Sequence, residues 1–374
     1  MFKKIILSTA LVLLLLILTG CQLFNRSSRK DREASYKIGG IIPLTGNGAA
    51  LGQSYAQGVD MAVDEINAEG GIGGHQLEFL LQDSKVSGAD SVSAARFLLD
   101  TENPDIFLSM FTITATAISP ILKEAKKPGI YQIFSRSVLE NNLYVFKTHF
   151  DSLTGCEQLT EYAKEKGKYK KLGAIMALAE YSELCLQGAK NIDPDIKDYR
   201  YSFGEKDFRP FLVKAQAEGV DTILFTGIDQ EFKDLFRQLT ELNSSIKVIC
   251  ALAFECIPPE TVKSIPAIVL DGVLGVDVIP LDINNSEFAE KYKSKYPEAS
   301  FIDYSYAAMG YEDVMYVSKA MGSCQPGDSE CLTKALENVS GYKSVLGSRG
   351  FKNRILQLDN RIYEFKDGAW QLAG

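Results

Sequence analysis

From Tyr36 onward, short runs rich in Ile, Val, Leu and Phe alternate with longer stretches whose apolar residues recur every three or four positions. Compact apolar runs of this kind read as buried strands, and the 3.6-residue period reads as amphipathic helix. The spacing predicts a strand over 37–44, ending in the turn Pro43-Leu44-Thr45-Gly46-Asn47-Gly48. A helix follows, with Tyr55, Val59, Ala62, Val63 and Ile66 on one face. Gly70-Gly71 stops it, since glycine accepts the left-handed conformation at a helix C-terminus. Strands over 77–82, 105–110 and 129–134, with helices over 89–100 and 115–126 between them, complete a β-α-β-α-β-α-β unit. That order requires parallel strands with helical crossovers, and so an open doubly wound sheet.

The unit then repeats. Strands are predicted over 172–178, 199–203, 222–226 and 247–251, alternating with helices centred near Lys164, Gly188, Lys214 and Phe236. Asp207 is the expected N-cap of the third of these helices, with Pro210 tolerated in its first turn. After Asp277 the pattern turns helical over 286–296, 304–322 and 331–338, then closes with strand-like pieces over 355–358 and 361–365. The expected fold class is therefore α/β, with two doubly wound parallel-sheet lobes split near Phe150. The late helices return to cover the first lobe.

The N-terminus changes the picture of where the chain works. Lys3 and Lys4 precede an almost unbroken apolar run over 5–18, closed by Leu18-Thr19-Gly20-Cys21. The run is too short to span a bilayer comfortably and reads as a secretory signal, with an uncleaved signal anchor as the competing reading. Its ending resembles the lipobox of bacterial lipoproteins, which implies cleavage before Cys21 and acylation at Cys21. Each buried acyl CH₂ contributes about 0.8 kcal/mol, so two or three chains would hold the protein to a membrane. Residues 22–35 carry Arg26, Arg29, Lys30 and Arg32 against Asp31 and Glu33 and read as a solvated tether. The alternative for the same residues is light contact with anionic lipid.

Net charge is −8 and falls to about −10 once Lys3 and Lys4 leave with the signal. No basic stripe accompanies it, which argues against nucleic acid as a partner. Seven cysteines minus Cys21 leave Cys156, Cys185, Cys250, Cys256, Cys324 and Cys331. An even number in an exported chain suggests disulfides. Cys250 with Cys256 and Cys324 with Cys331 are the easiest to close, which leaves Cys156 with Cys185; free thiols at one pair stay open. Metal binding is the weaker idea, because no Cys-x-x-Cys occurs and His75 and His149 are isolated. No metal and no cofactor are expected.

In open α/β sheets ligands gather beyond the carboxyl ends of the strands, where helix N-termini attract anions. The loops at those positions are rich in hydroxyls: Thr45-Gly46-Asn47-Gly48, Phe111-Thr112-Ile113-Thr114-Ala115-Thr116 and Ser135-Arg136-Ser137. Hydroxyls with free N–H groups suit a carboxylate; helix capping explains any single one of them equally well. No Gly-x-Ser-x-Gly elbow, His-centred triad or phosphate loop occurs, so no enzyme is expected.

At this point a resemblance becomes specific. Ile41-Ile42-Pro43-Leu44-Thr45-Gly46, Ala50-Leu51-Gly52, Gly58 and the run Ala62-Val63-Asp64-Glu65-Ile66-Asn67-Ala68-Glu69-Gly70-Gly71-Ile72-Gly73-Gly74 resemble the opening of the branched-chain amino-acid-binding (Leu/Ile/Val-binding-like) family. The likeness continues through Asp83, Ser119-Pro120, Pro128, Tyr144-Val145-Phe146-Lys147-Thr148, Tyr181, Asp207-Phe208, Phe236-Arg237-Gln238, 289–296, Tyr306-Ala307-Ala308 and Val345-Leu346-Gly347. These are type I periplasmic binding proteins serving ATP-driven importers. The resemblance implies two lobes joined by three crossings that close over a ligand. It divides the chain into signal 1–20, tether 21–35, lobe 1 over 36–149 and 278–349, and lobe 2 over 150–277 and 350–374. It also implies a monomer that delivers a small-molecule ligand to a membrane permease, exported and lipid-anchored to the cell or outer membrane.

Carried over residue by residue, the family's pattern gives a mixed site. Thr112 falls where a hydroxyl holds the ligand carboxylate, with Ile113 beside it. Ser135 falls where a Thr holds ammonium and carboxylate, Ile133 supplies a backbone contact, and Tyr181 matches a covering aromatic. Ile228 stands where amino-acid binders carry a Tyr, and the expected acid near Leu252-Ala253 is missing; Glu255 is the substitute and Asp229 a further candidate. An unpaired buried ammonium would cost several kcal/mol, so the reading widens from amino acids to related carboxylates and amides. The alternative is a sensor or envelope-regulator lipoprotein on the same fold.

Overall fold

The computed structural model describes residues 35–373 except 47, 141, 203, 228–229, 258–264, 266 and 341–343. Cys21, Ile228 and Asp229 lie outside the described residues. The first lobe opens with β1 (Tyr36–Ile42), α1 (Ala49–Ala68), β2 (Leu77–Asp83), α2 (Gly88–Thr101), β3 (Ile106–Met110), α3 (Thr112–Glu124), β4 (Gly129–Gln132) and β5 (Val145–Lys147). The second contains α4 (Ser152–Glu165), β6 (Leu172–Ala177), α5 (Glu180–Ile192), β7 (Lys197–Tyr201), α6 (Arg209–Ala217) and β8 (Thr222–Phe225). It continues through α7 (Gln230–Glu241), β9 (Lys247–Cys250), α8 (Ala253–Cys256), α9 (Ala267–Leu270) and β10 (Leu274–Asp277). The chain then returns through α10 (Glu287–Lys295), α11 (Phe301–Met321) and α12 (Ser329–Glu337) to β11 (Phe351–Lys352) and β12 (Ile355–Leu356). It ends in β13 (Arg361–Lys366) and β14 (Ala369–Leu372).

The first sheet has the order β11-β12-β5-β4-β3-β1-β2, and the second β14-β13-β10-β9-β8-β6-β7. β1 to β5 pair in parallel, as do β6 to β10, while β13 joins β10 antiparallel. Strands covered by helices on both faces lose their polar alternation, which is why β3, β6 and β8 are buried at every position. Each lobe reverses its strand order between its first and third strands, and that crevice is where such sheets bind ligands.

Helix starts follow local chemistry. Ser87 caps α2 by accepting the Asp90 N–H, Asp151 caps α4 through the Thr154 N–H, and Ser300 forms a capping box with Asp303 on α11. Asp207 does not cap α6. The cap is Phe208, and Asp207 instead accepts the Arg209 N–H and pairs with its guanidinium. The six cysteines join as Cys156–Cys185, Cys250–Cys256 and Cys324–Cys331.

The three crossings follow β5, β10 and β12. The expected third crossing at 350 is corrected: β11 and β12 belong to the first sheet, where Ile355 pairs with Lys147, so the chain changes lobe between Leu356 and Arg361. A two-residue strand has no period to read, so its sheet could not be assigned from the pattern. Lys147 anchors the first crossing. Its buried ammonium donates to the carbonyls of His149 (2.7 Å) and Phe150 (2.8 Å), and burial lowers its pKa to about 7.

A candidate ligand cavity between the lobes

A cavity of about 640 Å³ lies between the lobes, at the carboxyl ends of their strands. Its first-lobe wall begins where β3 passes into α3. Phe111 makes that turn with φ of 64°, a left-handed conformation that a bulky side chain rarely adopts. Strain of this sort concentrates at binding sites held by their surroundings. The Phe111 ring packs where a Cβ on Gly48 would come within 3.0 Å, so Gly48 is required for the turn as well as for its own positive φ. No side chain caps α3, which leaves its first-turn N–H groups facing outward beside Thr112. Gln132, Ile133 and Phe134 continue the wall from β4, and His149 and Phe150 from the first crossing.

The second-lobe wall comes from three strand ends. β6 leads to Ala179, Glu180 and Tyr181 at the start of α5. The Tyr181 hydroxyl donates to the Thr226 carbonyl at 2.5 Å, fixing its ring across the cleft, 5.6 Å from Phe134. β8 supplies Phe225, Thr226 and Gly227. β9 leads to Ala251-Leu252, and the Cys250–Cys256 disulfide closes the short turn of α8 that carries Glu255.

Two acids belong to this wall: Glu180, which accepts from Ser137 of the first lobe, and Glu255, which lies deeper. The Glu255 carboxylate accepts from the Tyr306 hydroxyl on α11 at 3.0 Å, and its pKa is pushed up to about 7. Burial is the main cause; Asp277 adds repulsion and the Tyr306 bond opposes it. Asp277 is itself raised to about 6 by burial, against bonds from the Phe254 and Ile279 N–H groups at 3.2 and 3.0 Å. Behind the first-lobe wall, Asp313 accepts from Tyr55 at 2.6 Å and Thr148 at 3.2 Å, and burial raises it to about 7.

The structure brings Thr112, Ile133, Tyr181 and Glu255 to one cavity. Ile113 is 53% exposed and lies off the wall. Ser135 is buried outside the cavity, where its hydroxyl pairs with Ser137 Oγ at 2.8 Å and accepts the Ser137 N–H at 3.1 Å. A local Ser turn has claimed the hydroxyl that the spacing offered to a ligand. Sequence reasoning missed the aromatic wall of Phe111, Phe134, Phe150, Phe225, Phe232 and Tyr306, and the polar pair Gln132 and His149. The signal for Gln132 was its place as the last residue of a buried strand, where a polar side chain needs a reason.

Among the described residues no helix is long and apolar enough to cross a membrane, and no group of three acidic, His or Cys side chains could hold a metal ion. A Leu/Ile/Val-binding protein homolog from Brucella abortus is 24% identical over 347 residues, spanning 86% of this chain and 85% of the relative. The substrate binding protein of a branched-chain amino acid transporter from Streptococcus pneumoniae, solved with isoleucine, superposes with a TM-score of 0.76 at 21% identity. That match covers 90% of this chain and 98% of the other. A solute binding protein from Rhodopseudomonas palustris, solved with 3,4-dihydroxybenzoic acid, gives 0.75 at 20% identity, with 90% and 95% covered. These likenesses establish two α/β lobes of the type I binding-protein kind. The periplasmic binding protein family matches residues 35–369, nearly the whole described chain, and the protein belongs to that family.

Proposed function

We propose that this chain is an exported, lipid-anchored solute-binding protein that closes its lobes over a small carboxylate with an apolar body and presents it to an ATP-driven importer. One observation carries the reading: a single cavity joins the uncapped start of α3 with Thr112 to an acid, Glu255, on the opposite lobe. The N–H groups and dipole at a helix start favour a carboxylate. Glu255 stands ready for a cationic or donor group, which repairs the gap left at Leu252 and Ala253. The aromatic wall between them supplies burial for a hydrocarbon or ring, at about 25 cal/mol per Å² of apolar surface. About 640 Å³ falls in the range of small-molecule pockets. The relatives solved with isoleucine and with 3,4-dihydroxybenzoic acid support both kinds of body.

Thermal unfolding of the purified protein with amino acids, aliphatic carboxylates and aromatic carboxylates tests this directly. A ligand at 100 times its Kd stabilises by about 2.7 kcal/mol through mass action. The reading expects such a shift for at least one carboxylate, and its loss in Thr112→Ala. No shift across the panel sinks it. The anchor is tested separately: intact mass should show acylation that Cys21→Ser abolishes.

A further inference from the structure

Buried polar side chains nearly always find partners, so those that do not require an explanation. Among the described residues, seven buried side-chain atoms have none, and two of those residues, Gln132 and His149, line the inter-lobe cavity. Gln132 is 4% exposed; its Nε2 reaches Asp313 and the Thr148 carbonyl only at 3.5 Å, and its Oε1 bonds nothing. Flipping the amide would set Oε1 against two acceptors, so the acceptor is the free end. His149 is 5% exposed. Its Nδ1 accepts the Phe150 N–H at 2.6 Å, and burial with the neighbouring Lys147 lowers its pKa to about 3. The ring is therefore neutral with its one proton on Nε2, an unpartnered donor. His149 also borders a small hinge pocket, but its ring packs 4.5 Å from Phe134 and 6.3 Å from Tyr306, both in the main cavity wall. Gln132 is the last residue of β4 and His149 follows β5 by two residues, on strands that pair in register at Tyr131 and Lys147.

We propose that Gln132 and His149 form a polar subsite of the cavity that receives a neutral group able to both donate and accept, a hydroxyl or a primary amide, on the body of the captured carboxylate. The inference rests on the proposed capture function and adds the substituent the ligand carries. A hydroxyl donates to Gln132 Oε1 and accepts from His149 Nε2–H; a primary amide does the same with its N–H and its carbonyl. A ligand with only hydrocarbon at this place leaves both atoms buried without partners. Sites built to hydrogen-bond a hydroxyl reject the analogue lacking it strongly for that reason.

Calorimetric titration with matched pairs tests it: valine and threonine, leucine and asparagine, phenylalanine and tyrosine, benzoate and 4-hydroxybenzoate. The expected result is at least one pair whose polar member binds on the order of 10-fold or more tighter. Gln132→Met and His149→Asn should each weaken the polar member and bring the ratio toward one. The asparagine keeps an acceptor near the Nδ1 position for the Phe150 N–H and removes Nε2, so one variant remains informative if the other is unstable. Apolar members binding as well as polar ones in every pair that binds, or a preference surviving both variants, overturns the subsite alone. An absence of binding by every member overturns the capture reading and the subsite with it.

Discussion

At the scale of single residues, Glu255 is one of the groups that make the cleft respond to pH, beside Asp277 and Asp313. The Glu255 carboxyl ionises near 7 in the folded protein, against about 4.5 in an unfolded chain. Between those values the folded state holds the proton that the unfolded state releases, so the unfolded state binds fewer protons and stability falls as pH rises. The contribution is fully present below about 4.5 and is lost as pH rises through about 7. Glu255→Gln, which cannot ionise, should melt higher than the native protein at pH 8 and show a flatter profile from pH 5 to 8. Parallel profiles in thermal unfolding would show that the acid is not held neutral by its surroundings. What the sequence disclosed at this scale followed from how local each residue's bonding is. The places of Thr112 and Tyr181 on the cavity wall could be read because strand ends and helix starts can be counted. Ser135 lies off the cavity because Ser137, two residues away, takes its hydroxyl, a local bond that the sequence could not rank against a ligand contact. Gln132 and His149 were silent because their significance is a missing partner, which only three dimensions reveal.

At the scale of elements, each lobe depends on a helix pair that touches backbone to backbone. In the first, a Cβ on Gly58 of α1 would lie 1.8 Å from the Ala307 carbonyl of α11, and one on Gly310 would lie 2.2 Å from that of Tyr55. In the second, a Cβ on Gly188 of α5 would lie 2.0 Å from the Leu153 carbonyl of α4, and the Cys156–Cys185 disulfide joins the same two helices. Gly58→Ala must push α1 and α11 apart, and overpacking of this kind costs typically 1–3 kcal/mol, so a loss of about 2 kcal/mol is expected. Gly88→Ala provides the comparison, because its new methyl would meet nothing closer than Ala117 at 3.5 Å. Urea unfolding should separate the two; equal midpoints would mean that the helix pair tolerates the extra carbon. The long helices were legible because 13 to 21 residues display several turns of period. β5, β11 and β14 were not, since two to four residues cannot show an alternation, and the strand read at 355–358 gave no sign of which sheet it joins. For that reason the third crossing was placed too early.

At the scale of the molecule, the two lobes meet across the cleft in a closed arrangement. Phe134 faces Tyr181, Tyr306 donates to Glu255, and Phe254 packs 4.7 Å from Phe301. Ser137 completes the rim: its N–H and hydroxyl donate to Glu180 at 3.3 and 3.2 Å. Contacts made only when the lobes are together shift the equilibrium toward closure, and a bound ligand leaves only when they open. Ser137 lies outside the cavity wall, so its hydroxyl acts on closure rather than on the ligand. The contact is exposed, and a bond of this type is worth about 0.5–1.5 kcal/mol. Ser137→Ala should therefore speed ligand dissociation by roughly 2- to 10-fold while changing association and ligand-free stability little. Trp370, the sole tryptophan, provides the readout: it packs 6.4 Å from Phe254, which touches the other lobe through Phe301. Stopped-flow fluorescence with a ligand found in the thermal panel measures both rates. Identical dissociation from the native protein and the variant would locate the latch in the aromatic contacts rather than at the rim. A slower association with unchanged dissociation would mean that Ser137 shapes the open cleft instead of holding the closed one.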